Sequence, residues 1–153
     1  MARRIAAKRA VKVLPRYRLL GGKSPQGELT ARQAQALQAR LNAGEGPRWR
    51  ALVAMRYWHP FTEEALEEVA ALRPARLVAL SLYPHYSRAV GGSSIGELHR
   101  VLRRRPLNCR VATVDQFFRH PLFLKAHADR IAATLSQFPG GGRDVFVLFS
   151  AHN

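Results

Sequence analysis

Asp144-Val-Phe-Val-Leu-Phe-Ser-Ala-His-Asn153 is the stretch that decides how the chain is read. Residues 145–149 are all apolar, with two valines and two phenylalanines, and Gly140-Gly141-Gly142 stands before them. A short apolar run bounded by a turn predicts a strand buried on both faces, as inside a parallel sheet. The run stops at Ser150-Ala151-His152, where a titratable ring arrives. Open α/β sheets bind ligands beyond the carboxyl ends of their strands, so His152 stands where a site is expected.

Three further stretches read as strands in the same way: 49–58, 76–82 and 109–114. Helical patterns separate them. Thr62, followed by Glu63 and Glu64, suits a helix N-terminus, and Leu66, Val69 and Ala70 form its apolar stripe up to Pro74. Ser94-Ile-Gly-Glu97 has the spacing of a capping box, and Ile95, Leu98, Val101 and Leu102 share the face that follows. Pro121 suits a first helical turn, with Leu124, Ala128, Ile131 and Leu135 at helical spacing behind it. Ahead of all these, residues 3–13 predict a short basic helix stopped by Pro15. A second capping box, Thr30-Ala-Arg-Gln33, opens a helix through Ala34, Leu37 and Leu41. Beyond its helical opening the chain thus alternates β-α-β-α-β-α-β. Such alternation predicts the α/β class, a parallel sheet flanked by helices on both faces.

A chain of 153 residues with 47% apolar content has one domain's worth of core. No run of 18 apolar residues occurs, which argues against a membrane-spanning helix. The basic opening lacks the apolar centre of a signal peptide. Cys109 is the single cysteine, so an internal disulfide and a paired-cysteine metal site are excluded. Its place in an apolar strand pattern predicts a buried, inert thiol. The formal charge of +15 points to an anionic partner: nucleic acid, an acidic membrane surface or a carboxylate-rich ligand. Arg3, Arg4, Lys8, Arg9, Lys12, Arg16, Arg18 and Lys23 crowd the opening with no acid among them, and Arg103-Arg104-Arg105 form a second cluster.

Polar and aromatic groups follow every expected strand: His59 after the first, Tyr83, His85 and Tyr86 after the second, His120 after the third, His152 after the fourth. Parallel strands would bring these ends to one edge. Neutral imidazole is a common metal ligand and a proton acceptor near neutral pH. His99 and His127 fall inside expected helices and read as structural. Gly21-Gly22-Lys23-Ser24-Pro25 and Gly91-Gly92-Ser93-Ser94 are loops whose amides could face an anion, although neither has P-loop spacing. Neither HExxH nor a GxSxG elbow is present, which argues against a zinc protease and a serine hydrolase.

Four blocks carry a resemblance to one family. Arg16-Tyr-Arg-Leu-Leu-Gly-Gly-Lys-Ser-Pro25 is similar to the substrate loop of the ferrochelatases. Met55-Arg-Tyr-Trp-His-Pro-Phe-Thr-Glu-Glu-Ala65 resembles the family's next block. Leu82-Tyr-Pro-His-Tyr-Ser87, followed by Gly92-Ser-Ser94, is a third, and Leu148-Phe-Ser-Ala-His152 resembles the family signature. The blocks come in order over nearly the whole chain. Two departures stand out: Arg88-Ala-Val-Gly91 replaces a Ser/Thr-rich loop, and the usual Leu-Pro is absent after the signature.

The resemblance implies an enzyme, a lyase of haem synthesis that inserts ferrous iron into protoporphyrin IX or coproporphyrin III. It implies that His152 is the deep histidine, serving as metal ligand or acceptor of pyrrole protons, and that His120 is a second catalytic histidine. It also implies that Arg9, Tyr17 and Ser24 contact the porphyrin. Iron and porphyrin are then substrates, with no tightly bound cofactor. Residues 1–153 would be a single incomplete, chelatase-like α/β domain of Rossmann or flavodoxin type. That domain is equivalent to most of the N-terminal half of a ferrochelatase, its first strand missing before Met1. A homodimer, or the missing C-terminal half, would complete the cleft and supply the acidic partner of His152. The expected location is the cytoplasm, with peripheral membrane contact open. The rival reading is a basic, non-catalytic module that binds nucleic acid or acidic membrane through its opening Arg/Lys stretch.

Overall fold

The opening of the chain is helical. Helix α1 spans Ala2–Leu19. It runs through Pro15 instead of stopping before it, contrary to the expectation of a helix over 3–13. Proline removes one hydrogen bond and crowds the preceding turn but leaves the later bonds available. The helix ends where Gly21 and Gly22 take φ of +86° and +87°, a backbone that other residues rarely adopt. The Gly22 N–H closes the turn on Tyr17 O at 2.8 Å. The computed structural model describes residues 2–150, with the backbone alone at 2–4, 7 and 8. The signature histidine, His152, lies outside these residues.

Helix α2 spans Gln26–Leu41 and begins four residues before the expected capping box. Thr30 does not cap it. Its Oγ1 donates to Gln26 O at 2.8 Å inside the helix, a back-bond that competes with capping. Residues 49–58, expected as a strand, form none; Met55 and Phe61 make an isolated bridge. The physical reason lies in α2 and the residue after it. Asn42 Nδ2 donates to Trp49 O at 2.9 Å, and Asn42 Oδ1 accepts the Trp49 N–H at 2.8 Å. Gln38 Oε1 accepts the Ala51 N–H at 2.9 Å. Side-chain amides have taken the place of a neighbouring strand, which satisfies the backbone equally well.

Helix α3 spans Thr62–Leu72 and buries Thr62, Ala65, Leu66 and Val69 along one stripe. Of the expected stripe, Leu66 and Val69 are buried, whereas Ala70 is exposed. Arg73, at φ +45°, and Pro74 end it.

Two strands form among the described residues. Strand β1, Arg76–Leu80, pairs in parallel with β2, Arg110–Val114, from Arg76↔Arg110 to Leu80↔Val114. Helix α4, Gly91–Arg104, lies between them in sequence, so β1-α4-β2 is a β-α-β unit. This is the α/β class with a parallel sheet, as expected. Helix α4 begins three residues ahead of the expected box. Ser94 Oγ donates back to Val90 O at 3.3 Å, and Glu97 pairs with Arg100. Close approach explains the two glycines at its head. A Cβ on Gly91 would stand 3.1 Å from Ser81 Oγ, and one on Gly92 would stand 3.0 Å from the Tyr86 hydroxyl oxygen. Cys109 precedes β2 and is half-buried, not buried as expected.

Helix α5, Pro121–Leu135, starts on Pro121 as predicted. A 3₁₀ turn, Pro139–Gly142, follows. Residues 145–149 then form no strand and are not buried: Phe146 is 100% exposed and Leu148 91%. An apolar run becomes a strand only when neighbours take its ladder groups. No strand among the described residues supplies that pairing at 145–149.

The chain divides into two compact units, Met1–Val69 and Ala70–Asn153. In the second, Val101 of α4 is 1% exposed, the most buried large side chain described. Val101→Ala is expected to cost about 2 kcal/mol through lost burial and a residual cavity. The urea midpoint reads this directly; an unchanged midpoint would remove α4 from the core.

Candidate active site

In the first unit the expected porphyrin contacts lie on α1 and the turn after it. At 3.6 residues per turn, Lys12, Arg16, Arg9, Val13 and Tyr17 fall within about 140° of arc. The three bases are exposed, whereas Val13 and Tyr17 are half-buried. One face of α1 therefore carries a row of cations beside an aromatic ring. Ser24 lies in the following turn, where its Oγ accepts the Gln26 N–H at 3.3 Å. Lys23 pairs with Glu28, whose carboxyl it holds below the usual carboxylate range, first by hydrogen bond and then by charge. The amides of Gly21 and Gly22 donate to Arg18 O and Tyr17 O, so this loop does not offer them to an anion.

A cleft of about 560 Å³ in the same unit is lined by Val53, His59, Pro60, Glu64, Ala65 and Glu68. Glu64 organises it. Its Oε2 accepts the Phe61 N–H at 2.6 Å, the reach-back half of a capping box at the start of α3. The same carboxylate holds His59 Nδ1 at 2.8 and 3.0 Å. Sequence reading credited Glu64 with the helix dipole alone; a histidine five residues before a first-turn glutamate is the signal it passed over. The Glu64 carboxyl lies below its ordinary value, chiefly through the Phe61 amide, with His59 adding hydrogen bond and charge. A depressed carboxylate stabilises the fold above its unfolded value, and that contribution vanishes as pH falls through the folded value. Glu64→Gln is therefore expected to be less stable than the parent at neutral pH and to converge with it below about pH 4. Denaturation midpoints across that range check this; a gap that stays constant with pH contradicts it.

In the second unit the loops after β1 and β2 meet. Phe117 and Phe118 both donate their N–H groups to Pro84 O, at 2.9 and 3.0 Å. The Phe118 ring stacks on His85 with centroids 5.1 Å apart. His120 follows, and its Nδ1 accepts the Leu122 N–H at 3.3 Å at the N-terminus of α5. His85 and His120 thus share one loop cluster at the carboxyl ends of β1 and β2, as the strand order implies. At the glycine-rich head of α4, two amides are already taken: Gly92 N–H donates to Ser87 O and Ser94 N–H to Val90 O. His127 stands edge-on to Phe123 at 4.5 Å, a packing role. No three His, Cys, Asp or Glu side chains gather as a metal centre among the described residues. No helix among them is long and apolar enough to cross a membrane.

Parallel strands with imidazole and aromatic groups beyond their carboxyl ends define an α/β unit of the open-sheet kind. The chain belongs to the ferrochelatase family, whose family model matches residues 1–153. It is 48% identical over 153 residues to the ferrochelatase of Geotalea daltonii, covering 100% of this chain and 46% of that protein. It is 37% identical over 154 residues to the ferrochelatase of Aquifex aeolicus, covering 100% of this chain and 47% of that one. With the ferrochelatase of Synechocystis the identity is 39% over 150 residues, 97% of this chain and 38% of the relative. The chain thus spans under half the length of these curated relatives. The rival reading, a nucleic-acid or membrane-binding module, gains no support from these matches.

Proposed function

We propose that this chain serves the insertion of ferrous iron into a porphyrin, protoporphyrin IX or coproporphyrin III, in haem synthesis. It is then a metal chelatase of the lyase class, working in the cytoplasm on porphyrin and iron as substrates without a tightly bound cofactor. The observation that supports this most is the ferrochelatase match running unbroken from residue 1 to residue 153.

The roles follow from the chemistry. Porphyrin propionates are carboxylates, and Arg9, with Lys12 and Arg16 on the same face of α1, offers them charge-assisted hydrogen bonds. Tyr17, half-buried beside that row, gives the macrocycle an aromatic wall. Ser24 supplies a hydroxyl in the turn that follows. Insertion of a divalent metal releases two pyrrole protons, which need an acceptor near neutral pH. His152 takes that task and meets the incoming iron, and His120 takes part as the second histidine. A second copy of the chain, or the remaining length found in the relatives, completes the cleft and provides the acidic partner of His152. Peripheral contact with a membrane surface fits the same basic face of α1.

Titrating the 153-residue chain into a porphyrin solution and following porphyrin fluorescence tests the reading. Saturable binding is expected, lost when the propionates are esterified. Equal affinity for the free acid and its diester would defeat the assignment of the basic face.

A further inference from the structure

His120 closes the loop that follows β2. Its backbone N–H donates to Phe117 O at 2.9 Å, while its Nδ1 accepts the Leu122 N–H at 3.3 Å. The side chain therefore fills the N-cap place of α5, where Ser, Thr, Asp and Asn are the usual residues. Imidazole differs from those residues in one respect. It accepts at Nδ1 only while neutral, with its proton on Nε2; in the imidazolium both nitrogens donate.

We propose that His120, beside the part proposed for it in the chemistry, also acts as a positioning residue: its neutral form fastens the 115–120 loop to α5, and uptake of a proton lets it go. The proton goes to Nδ1, the bond from the Leu122 amide breaks, and that amide turns to water. The fastened segment has work to do. Phe117 and Phe118 hold Pro84 O through their amides, and Phe118 stacks on His85, so this segment ties the loop after β1 to the loop after β2. The other titratable groups on the elements packed here are His85, Asp115, Arg119, Lys125 and His127. Lys125 is paired with Asp129 at 2.8 Å, and His85 and His127 lie against Phe118 and Phe123. The link to catalysis rests on the chelatase reading, in which metal insertion frees the protons that would open the latch; the cap itself does not depend on it.

Hydrogen exchange of the Leu122 amide and the ¹⁵N shifts of His120 test this on the 153-residue chain from about pH 8 to about pH 5. In the parent, Leu122 protection corrected for intrinsic exchange is expected to fall about fivefold as His120 charges. The neutral ring should carry its proton on Nε2. His120→Asn, a cap that does not titrate, should keep the protection at every pH, and His120→Ala should lack it throughout. Protection that ignores pH in the parent, or a neutral ring with its proton on Nδ1, overturns the proposal. Should the variants not fold, the parent's exchange and shifts decide alone. A parent that shows the latch yet inserts no metal would defeat the chelatase reading and leave the latch standing.

Discussion

His152→Ala is expected to keep porphyrin affinity within about twofold while slowing metal insertion by about 10²–10⁴, the usual worth of a positioned general base. The reasoning separates binding from chemistry. The porphyrin's anionic groups and its face are assigned to α1 and the turn after it, through Arg9, Tyr17 and Ser24. The two pyrrole protons must leave for a group that accepts them near neutral pH, and a neutral imidazole does so. Removing that imidazole leaves the binding groups in place and takes away the acceptor. Porphyrin fluorescence reads the first quantity, and the rate of metalloporphyrin formation reads the second. A parallel fall in both would mean that His152 holds the substrate instead of acting on it.

Arg9→Ala is expected to weaken porphyrin binding by about tenfold to a hundredfold, the range for a hydrogen bond between charged partners. Arg9 is the member of the basic row that borders the apolar side of α1. Arg16 and Lys12 lie on its other side, and Val13 and Tyr17 continue the surface beyond it. Tyr17→Ala should cost about fivefold, through the lost aromatic contact. The pair of variants separates a porphyrin from a generic polyanion. A nucleic-acid backbone would respond to Arg9 with a steep salt dependence and would be indifferent to the Tyr17 ring. Titrations at two salt concentrations settle which pattern holds. Affinity unmoved by either variant would take the porphyrin off this face.

The parts of the fold that could be read in the sequence are those whose pattern is local. Helices α3 and α5 follow from their apolar stripes and, for α5, from Pro121. The pairing of β1 with β2 follows from strand–helix–strand alternation. The parts that could not be read depend on partners. Residues 49–58 have a composition suited to a strand, yet Asn42 and Gln38 take the backbone groups of Trp49 and Ala51 at its start. Residues 145–149 have the composition of a buried strand and stand exposed. Composition cannot show which neighbour meets the ladder groups. Thr30 and Ser94 misled for a related reason: a hydroxyl that caps a helix can equally bond back to a carbonyl four residues earlier, and spacing does not distinguish the two.

The site divides along the same line. Tyr17, Ser24 and His152 lie within the sequence blocks, and Arg9 and His120 outside them; family membership bears out the resemblance itself. The hydrogen bonds that set the geometry were not legible. Pro84 O receives two amides, Glu64 joins His59 to the head of α3, and His120 caps α5. Each is a contact between residues whose types are unremarkable alone.

The most direct test of the account is an anaerobic comparison of the 153-residue chain with its His152→Ala variant, each mixed with porphyrin and ferrous iron, following the absorbance change of metallation. Insertion by the parent faster than in protein-free solution, with the variant falling back to that background, is the predicted result. Equal rates for parent, variant and protein-free solution would contradict the claim that this chain carries chelatase chemistry.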